Sequence, residues 1–429
     1  MAIITYEGFE NYSSFDAVKS YLNYTNFGTM SFISSTDANS VTPRNSGSCL
    51  KFISVNNGTY PKFLLTSPNS TTNTSGVFGF SWYNLLPAGG SWGTFTPICG
   101  VIDNTNKPLF YIGINSNGSI EARRWIHRTQ PNIPSAAGDR STSSTLWNTF
   151  KQCEWDCDKN GCVNAYLPLF DVTNNYSLLG ATTSLITANA WNYIEVKYSL
   201  SNTSSGYIHI KINRNSNDAT LDLNLNNIAT SPSTNPAMSL VFGIHRGHAT
   251  SSNGFNVGTN TAIYTSYFDD IYWADLTGSN NNNFLGRVNC KKFSYNEVAS
   301  YDMTTPANSG TALSNFNETF SGIGTISTRN TGNVVGQILD VKSNGVGSET
   351  LSPIFVRQYV HGYKTETNSD IAIGATNGAD NIGVTGVGFN SDSINGTLKF
   401  RDYDNAPDGT EWTNQKIADT TFKHTIIAS

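Results

Sequence analysis

Charged residues are scarce in this sequence, and no stretch of it is rich in basic side chains. Asp, Glu, Lys and Arg make up 13% of the 429 residues, about half of the ~25% that is usual in globular proteins. The formal net charge is −5, and the densest basic cluster is Arg123, Arg124 and Arg128. Because a nucleic-acid-binding protein needs many Lys and Arg side chains to neutralise phosphates, we exclude nucleic acid as a partner.

Long apolar runs are missing as well. No run approaches the ~18 apolar residues that a membrane-spanning helix requires, so we expect no membrane span. The first ten residues, MAIITYEGFE, show neither the charged nor the apolar region of a secretory signal, so we expect no secretory route. A chain of 429 residues has room for two or three domains, each with its own core.

Helical periodicity is rare, and alternation of apolar and polar residues replaces it. The segments 193–200 and 207–214 read YIEVKYSL and YIHIKINR, with isoleucines and valine alternating with polar side chains. The Gly- and Ser-containing link between them predicts an antiparallel hairpin with one face in water. Many similar runs, separated by Gly, Asn and Ser, predict an all-β protein of the sandwich or jelly-roll type. Two short helices are expected, at 13–23 and 412–422.

A polar tract divides the sequence. Residues 277–284 read TGSNNNNF, in which almost nothing can pack into a core, and the alternating pattern begins again at FLGRVNCKKF. We therefore predict a first β domain at 1–276, a linker at 277–284 and a smaller second β domain at 285–429.

Four motifs in the first of these segments carry a family resemblance. YEGFENY, SGSCLKF, NAWNYIEVKYSLSNTSSGYIHIKINR and FDDIYWAD occur in this order. They resemble the strands of concanavalin A-like, laminin-G-like lectin sandwiches. This resemblance implies a two-sheet jelly roll in which the FDDIYWAD strand lies beside the N-terminal strand.

A second resemblance rests on two later segments of the chain. FDDIYWADLTGSNNNNFLGRV, followed later by FRDYDNAPDGTEWTNQKIADTTFKHTI, is similar to a pattern of tailed-bacteriophage virion structural proteins. It implies a non-enzymatic part of a tail, fibre or capsid decoration, assembled in the host cytoplasm and released by lysis. The second β domain would then serve virion attachment or oligomerisation. The implied partners are other virion proteins, further copies of this chain as a trimer, and host-surface glycans.

The adjacent carboxylates Asp269 and Asp270 are poor candidates for catalysis. In a regular strand neighbouring side chains point to opposite faces, so the two cannot converge on one bond. We expect instead that one of them is buried and accepts a backbone N–H. Elsewhere the sequence has no phosphate-binding glycine loop and no His with an evident nucleophile partner.

The stretch CEWDCDKNGC at 153–162 leaves several alternatives open. Asp156, Asp158 and Asn160 alternate before a glycine as in the first half of a calcium loop, which makes Ca²⁺ the one cofactor to consider. The three cysteines could instead ligate zinc with His127, or two of them could form a disulfide across the turn. An exposed acidic turn with no ligand is the remaining interpretation.

The same stretch supports the main functional alternative. Glu154, Asp156 and Asp158 lie close to the acidic strand motif of β-glucanases built on the same sandwich, where alternate carboxylates act as nucleophile and acid/base. Residues i and i+4 of a strand are too far apart for the ~5–5.5 Å that retaining hydrolysis needs, unless the strand twists or bulges. The alternative to a virion protein is therefore a carbohydrate-active enzyme or lectin.

Sugar binding requires flat apolar surfaces beside neutral hydrogen-bonding groups. Trp92 lies in the glycine-rich segment PAGGSWGTF, and Trp125 and His127 lie in EARRWIHR. We therefore take Trp92, Trp125 and His127 as candidate carbohydrate contacts.

Overall fold

The structure is a computed structural model, and part of the chain is described in it. The described residues are 3–10, 12, 15, 18, 24–25, 29–44, 47–54, 62–66, 73–86, 92, 95–103, 108–125, 176–243, 264–276, 281–290, 292, 295–303, 337–343, 355–362, 369–388 and 397–428. All statements below concern these residues.

The chain forms two compact units. The first contains Met1–Phe9 and Leu22–Asn289, and the second contains Glu10–Tyr21 and Cys290–Ser429. The sequence placed the start of the second domain at 285. In the structure Leu285 and Gly286 belong to the first unit instead. Their backbone N–H groups donate to Glu195 of that unit.

The first unit is built from antiparallel strands. In chain order they are β1 Ile3–Glu7, β2 Tyr24–Thr25, β3 Thr29–Ile33, β4 Cys49–Ser54, β5 Lys62–Thr66, β6 Ser75–Leu85, β7 Thr96–Asp103, β8 Pro108–Ile114, β9 Ser119–Trp125, β10 Tyr176–Leu185, β11 Trp191–Ser199, β12 Gly206–Ile212, β13 Leu223–Ile228, β14 Ala237–Gly243 and β15 Tyr264–Asp275. One sheet of eight strands has the order β13-β12-β11-β6-β15-β4-β3, with β1 also paired to β15; the other, of seven, has the order β10-β9-β8-β7-β14-β5-β2.

Aromatic side chains fill the space between these two sheets. Phe80 of the eight-stranded sheet meets Phe242 of the seven-stranded sheet, with ring centroids 5.3 Å apart. Phe110 meets Tyr198 across the same space at 5.4 Å. All four rings are at most 1% exposed, as is Trp82. Burying large rings supplies much of the free energy that holds two sheets together. The predicted all-β jelly-roll sandwich is confirmed.

The predicted hairpin is present as β11 and β12. Ile194 is paired with Ile212 and Tyr198 with Ile208, and these four side chains are at most 5% exposed. The opposite face, expected to be in water, is partly covered, since Glu195 is only 1% exposed.

The acid pair lies in a β-bulge of β15. Asp269 is paired with Ser81 but Tyr272 with Gly79, so β15 uses one residue more than β6, and Asp270 has a φ of 48°. The bulge breaks the regular alternation from which we argued that the two side chains point apart. Both carboxylates are buried. Asp269 Oδ1 accepts the N–H of Asp270 at 2.7 Å, and Asp270 pairs with the guanidinium of Arg44 at 2.8 Å.

The second unit is also largely β. Its described strands are β16 Tyr295–Tyr301, β17 Ile338–Ser343, β18 Val356–Gly362, β19 Ser369–Thr376, β20 Asn381–Gly386, β21 Thr397–Tyr403 and β22 Thr421–Ala428. Five form a sheet in the order β16-β17-β22-β19-β20, and β18 pairs with β21.

One short helix, α1 Asn414–Asp419, precedes the last strand, within the predicted helix 412–422. The Thr413 side chain caps it by accepting the N–H of Lys416. Trp412 is 3% exposed and donates its indole N–H to the carbonyl of Tyr403 at 2.9 Å. The other predicted helix, 13–23, lies mostly outside the described residues. None of the described helices is long and apolar enough to span a membrane.

Candidate functional site

The outward face of the eight-stranded sheet is covered at one end by the loop 37–44. Asp37 accepts hydrogen bonds from Lys51 Nζ at 2.6 Å and from the Tyr267 hydroxyl at 2.7 Å. Val41 packs on Tyr267 and Cys49, and Arg44 reaches Ser81 and Asp270. Burial alone would raise the pKa of Asp37, but these hydrogen bonds hold it below its ordinary value. The loop is therefore fixed on the sheet by an ionised carboxylate.

A second segment crosses the middle of this face. We call residues 283–288 the strap. The N–H groups of Leu285 and Gly286 donate to Glu195 Oε1 at 2.8 and 3.0 Å. Phe284 lies over the ammonium of Lys211, 4.7 Å from Nζ to the ring centroid. The carbonyl of Val288 accepts a hydrogen bond from Arg44 at 2.9 Å.

Glu195 is the anchor of the strap. Besides the two backbone N–H groups, its Oε1 accepts the Tyr272 hydroxyl at 2.5 Å. Burial raises the pKa of Glu195 to about 7, although the three hydrogen bonds and the nearby charge of Lys211 act in the opposite direction. This carboxyl group therefore changes its charge near neutral pH.

Beyond the strap, this face carries side chains that are partly or fully exposed. Five polar side chains of β11, β12 and β13 share this area, and we call them the imidazole patch. Three of them, Lys197, Tyr207 and His209, are partly exposed, and the two asparagines Asn224 and Asn226 are exposed. They point outward because the alternate residues of the same strands, such as Val196 and Ile208, are buried between the sheets.

Strand pairing and hydrogen bonds bring the patch together. Lys197 and His209 are direct cross-strand partners, so their Cβ atoms are about 4.5–5.5 Å apart. The ring of Tyr207 stacks on that of His209, with centroids 4.8 Å apart and an interplanar angle of 22°. His209 Nε2 is 3.0 Å from Asn226 Oδ1, and Asn226 donates to Asn224 Oδ1 at 2.8 Å.

Two groups of the imidazole patch have shifted pKa values. Burial raises the pKa of the Tyr207 phenol, which is protonated at neutral pH already at its ordinary pKa of 10.0. Burial, and to a smaller extent the charge of Lys211, lowers the pKa of Lys197. The patch thus joins an imidazole, a protonated phenol and an amine beside amides that can bind hydroxyl groups. Such groups can transfer protons and bind an anionic sugar.

Of the carbohydrate contacts expected from sequence, Trp92 and Trp125 lie on the side of the seven-stranded sheet. Trp92 is partly exposed, and its ring is so close to Gly118 that a Cβ there would be 2.9 Å from Trp92 Cζ3. Trp125 is the last residue of β9, and His127 lies outside the described residues. These three are not part of the imidazole patch, and their sugar-binding role stays a prediction.

The acidic stretch 153–162 also lies outside the described residues. This applies to the proposed calcium ligands Asp156, Asp158 and Asn160, to Glu154 and to the three cysteines. Among the residues that are described, no group of three or more His, Cys, Asp or Glu side chains could hold a metal ion. The calcium site stays a prediction.

Comparison with known proteins gives structural similarity only. No protein-family model matches the chain, and neither does any curated protein. The endo-β-1,4-glucuronan lyase of the fungus Trichoderma reesei is similar at 12% identity, with 59% of this chain and 90% of the lyase covered and a TM-score of 0.36. An alginate lyase from Chlorella virus matches at 12% identity, with 64% and 99% covered and a TM-score of 0.36. The alginate lyase of Aplysia kurodai matches at 12% identity, with 54% and 85% covered and a TM-score of 0.35.

These findings correct two expectations from the sequence, the virion structural role and the absence of enzymatic activity. The expected non-enzymatic virion structural protein is contradicted, because the matched structures are polysaccharide lyases, which are enzymes. The carbohydrate-active alternative fits the comparisons better. All three TM-scores are below 0.5.

No sequence motif marks the residues of the imidazole patch as a site. The alternation in the two hairpin strands did indicate that Lys197 and His209 point away from the core. Their convergence, however, depends on the register of β11 against β12, and the openness of the patch depends on where the strap lies. Neither is visible in a local sequence pattern.

Proposed function

We propose that the first unit is a carbohydrate-active enzyme whose reacting groups lie in the imidazole patch, and that it cleaves a uronate-containing polysaccharide by β-elimination. The observation that carries this proposal is the stacking of His209 on Tyr207, directly across the strand pair from Lys197. A base (His209), an acid (Tyr207) and a cation (Lys197) are thereby placed around one position for the substrate.

Elimination suits this face better than hydrolysis. Hydrolysis by the usual route needs two carboxyl groups that flank the scissile bond. The carboxylates described on this face are Asp37, Glu195, Asp269 and Asp270, and each already accepts a hydrogen bond or ion pair from the protein. None of them is a member of the open patch.

Three groups of the imidazole patch suffice for the elimination. Lys197 binds the carboxylate of the uronate and stabilises the negative charge that develops there. His209 takes the proton from the carbon next to the carboxylate, and the released electron pair forms a carbon–carbon double bond. The bond from the β carbon to the glycosidic oxygen then breaks, and that oxygen takes the proton of Tyr207. Proton transfer from His209 to the phenolate, directly or through water, restores both groups.

The first test replaces each reacting group. His209→Ala should lower kcat/KM on a uronate polysaccharide about 100- to 10,000-fold, as expected for loss of a proton-transfer group. Tyr207→Phe should have a similar effect, and Lys197→Met should chiefly raise KM. Asn202→Ala, in the exposed turn between β11 and β12, is the control and should behave as the wild type. Full activity of the His209→Ala variant, with unchanged folding by circular dichroism, would refute the assignment.

The second test separates the reaction classes. Alginate and glucuronan should give products with the ultraviolet absorbance of a carbon–carbon double bond conjugated to a carboxylate, and a neutral β-glucan should give none. Release of reducing ends from the neutral glucan, without that absorbance, would show hydrolysis and contradict the proposed elimination.

A further inference from the structure

The strap contacts the imidazole patch at Lys197. The ammonium of Lys197 donates to Oδ1 of Asn283, at 3.1 Å. Asn283 is exposed, and it directly precedes the residues that fix the strap to the sheet. The position of a long, flexible lysine side chain is therefore tied to the position of the strap.

Glu195 links the strap to the strand that carries Lys197. Both residues are on β11 and, being two positions apart, point to the same face. Glu195 binds the N–H groups of Leu285 and Gly286, two and three residues after Asn283. Lys211, the cross-strand partner of Glu195, contacts the ring of Phe284 with its ammonium. One carboxyl group thus fixes the place from which Asn283 reaches Lys197.

We propose that Glu195 and Asn283 are positioning residues of the imidazole patch: Glu195 holds the strap, and Asn283 directs the ammonium of Lys197 toward the position of the substrate carboxylate. The catalytic consequence rests on the proposed function. The placement of Lys197 does not, and it can be measured by itself.

The amide at position 283 matters for the charge of the site. A neutral oxygen orients the ammonium and leaves its charge for a substrate. A carboxylate at the same place would pair with Lys197 and compete with the carboxylate of the uronate. Asparagine at this position therefore favours an anionic sugar as the substrate.

The kinetic test compares four variants on a uronate oligosaccharide. Asn283→Ala should raise KM about 2- to 10-fold, the range for loss of one hydrogen bond, and change kcat much less. Asn283→Asp should raise KM further, with partial recovery at high salt. Glu195→Ala should raise KM like Asn283→Ala, and Glu195→Gln should restore most of that loss, because its amide oxygen can still accept the strap N–H groups. Equal KM values for the wild type, Asn283→Ala and Asn283→Asp would overturn the proposal.

A second measurement does not depend on activity. The acetylation rate of each lysine can be followed by mass spectrometry on the intact protein. Lys197 should react several-fold faster in Asn283→Ala and in Glu195→Ala, while Lys416 of the second unit stays unchanged. If the protein cleaves no uronate but Lys197 responds in this way, the positioning role stands and the proposed function fails. Unchanged labelling of Lys197 in Asn283→Ala, whose altered side chain is exposed and does not threaten folding, would refute the positioning role.

Discussion

Gly286 shows how one residue permits the strap to lie on the sheet. Its φ of 79° is in the region that side chains with a Cβ seldom adopt, and a Cβ built there would be 2.4 Å from the backbone nitrogen of Ser216. We expect Gly286→Ala to lower the free energy of unfolding of the first unit by about 1–3 kcal/mol, from backbone strain together with displacement of the strap. Denaturant titration measures this loss, and hydrogen exchange at Leu285 should accelerate in parallel.

Gly388 provides a matched control for that prediction. It also has a positive φ, 67°, but no atom lies within 4 Å of a Cβ built on it. Gly388→Ala should therefore cost only the backbone strain, about 1 kcal/mol. An equal loss for both substitutions would mean that contact with Ser216 contributes nothing at Gly286.

The residues of the candidate site were only partly predictable. The alternating pattern predicted that Ile194, Val196 and Ile210 face the core, and they are buried. The same pattern predicted water around Glu195 and Lys211, which was wrong, because a segment some ninety residues later in the sequence packs over them. A long-range contact of this kind leaves no periodicity in either segment.

At the scale of elements, the bulge of β15 depends on a buried ion pair. Arg44 reaches Asp270 from the loop 37–44 and bonds Val288 of the strap as well. Arg44→Met would remove one partner of the buried ion pair with Asp270, which typically costs about 3–5 kcal/mol. We expect a loss of that size in the free energy of unfolding of the first unit, measured by denaturant titration.

An exposed ion pair gives the comparison for Arg44. Lys416 and Asp408 are 3.0 Å apart, and both side chains are 31% exposed. Lys416→Met should cost less than about 1 kcal/mol, because water screens the pair and solvates the remaining carboxylate. A loss for Arg44→Met no larger than this would show that Asp270 is solvated after the substitution.

The strands were predictable from the sequence where apolar and polar residues alternate regularly. The hairpin of β11 and β12 lies where alternation placed it, and the helix α1 lies within the predicted helix 412–422. The bulge did not follow, because an extra residue in a strand is set by the partner strand and by Arg44. Both lie far from Asp270 in the chain.

At the scale of the whole molecule, the two units should respond to pH in opposite directions. Burial raises the pKa of Glu195 from an ordinary 4.5 to about 7. The folded first unit then holds a proton that the unfolded chain has released, so its stability falls as the pH rises from about 4.5 to 7.

Burial lowers the pKa of His424 in the second unit from 6.5 to about 4. The unfolded chain binds that proton first, so the second unit loses stability as the pH falls from about 6.5 to 4. Each effect amounts to at most about 3.4 kcal/mol.

Calorimetry of the wild type and of Glu195→Gln checks this prediction. The transition that belongs to the first unit should lose most of its pH dependence between pH 5 and 7.5 in the variant, and the other transition should keep its own. A first-unit transition with the same pH slope in both proteins would mean that Glu195 is ionised throughout this range.

The pairing of β1 with β15 has a consequence for how the sandwich combines with other sequences. Ile3 is the partner of Ala274, so the first and the last strand of the first unit lie side by side. A unit whose ends are neighbours can be inserted into a loop of another protein, or have its ends joined and be reopened elsewhere, without stretching either strand. We expect this sandwich to tolerate a new chain break at the exposed turn 201–205 in a protein that keeps the second unit, to which Glu10–Tyr21 belong.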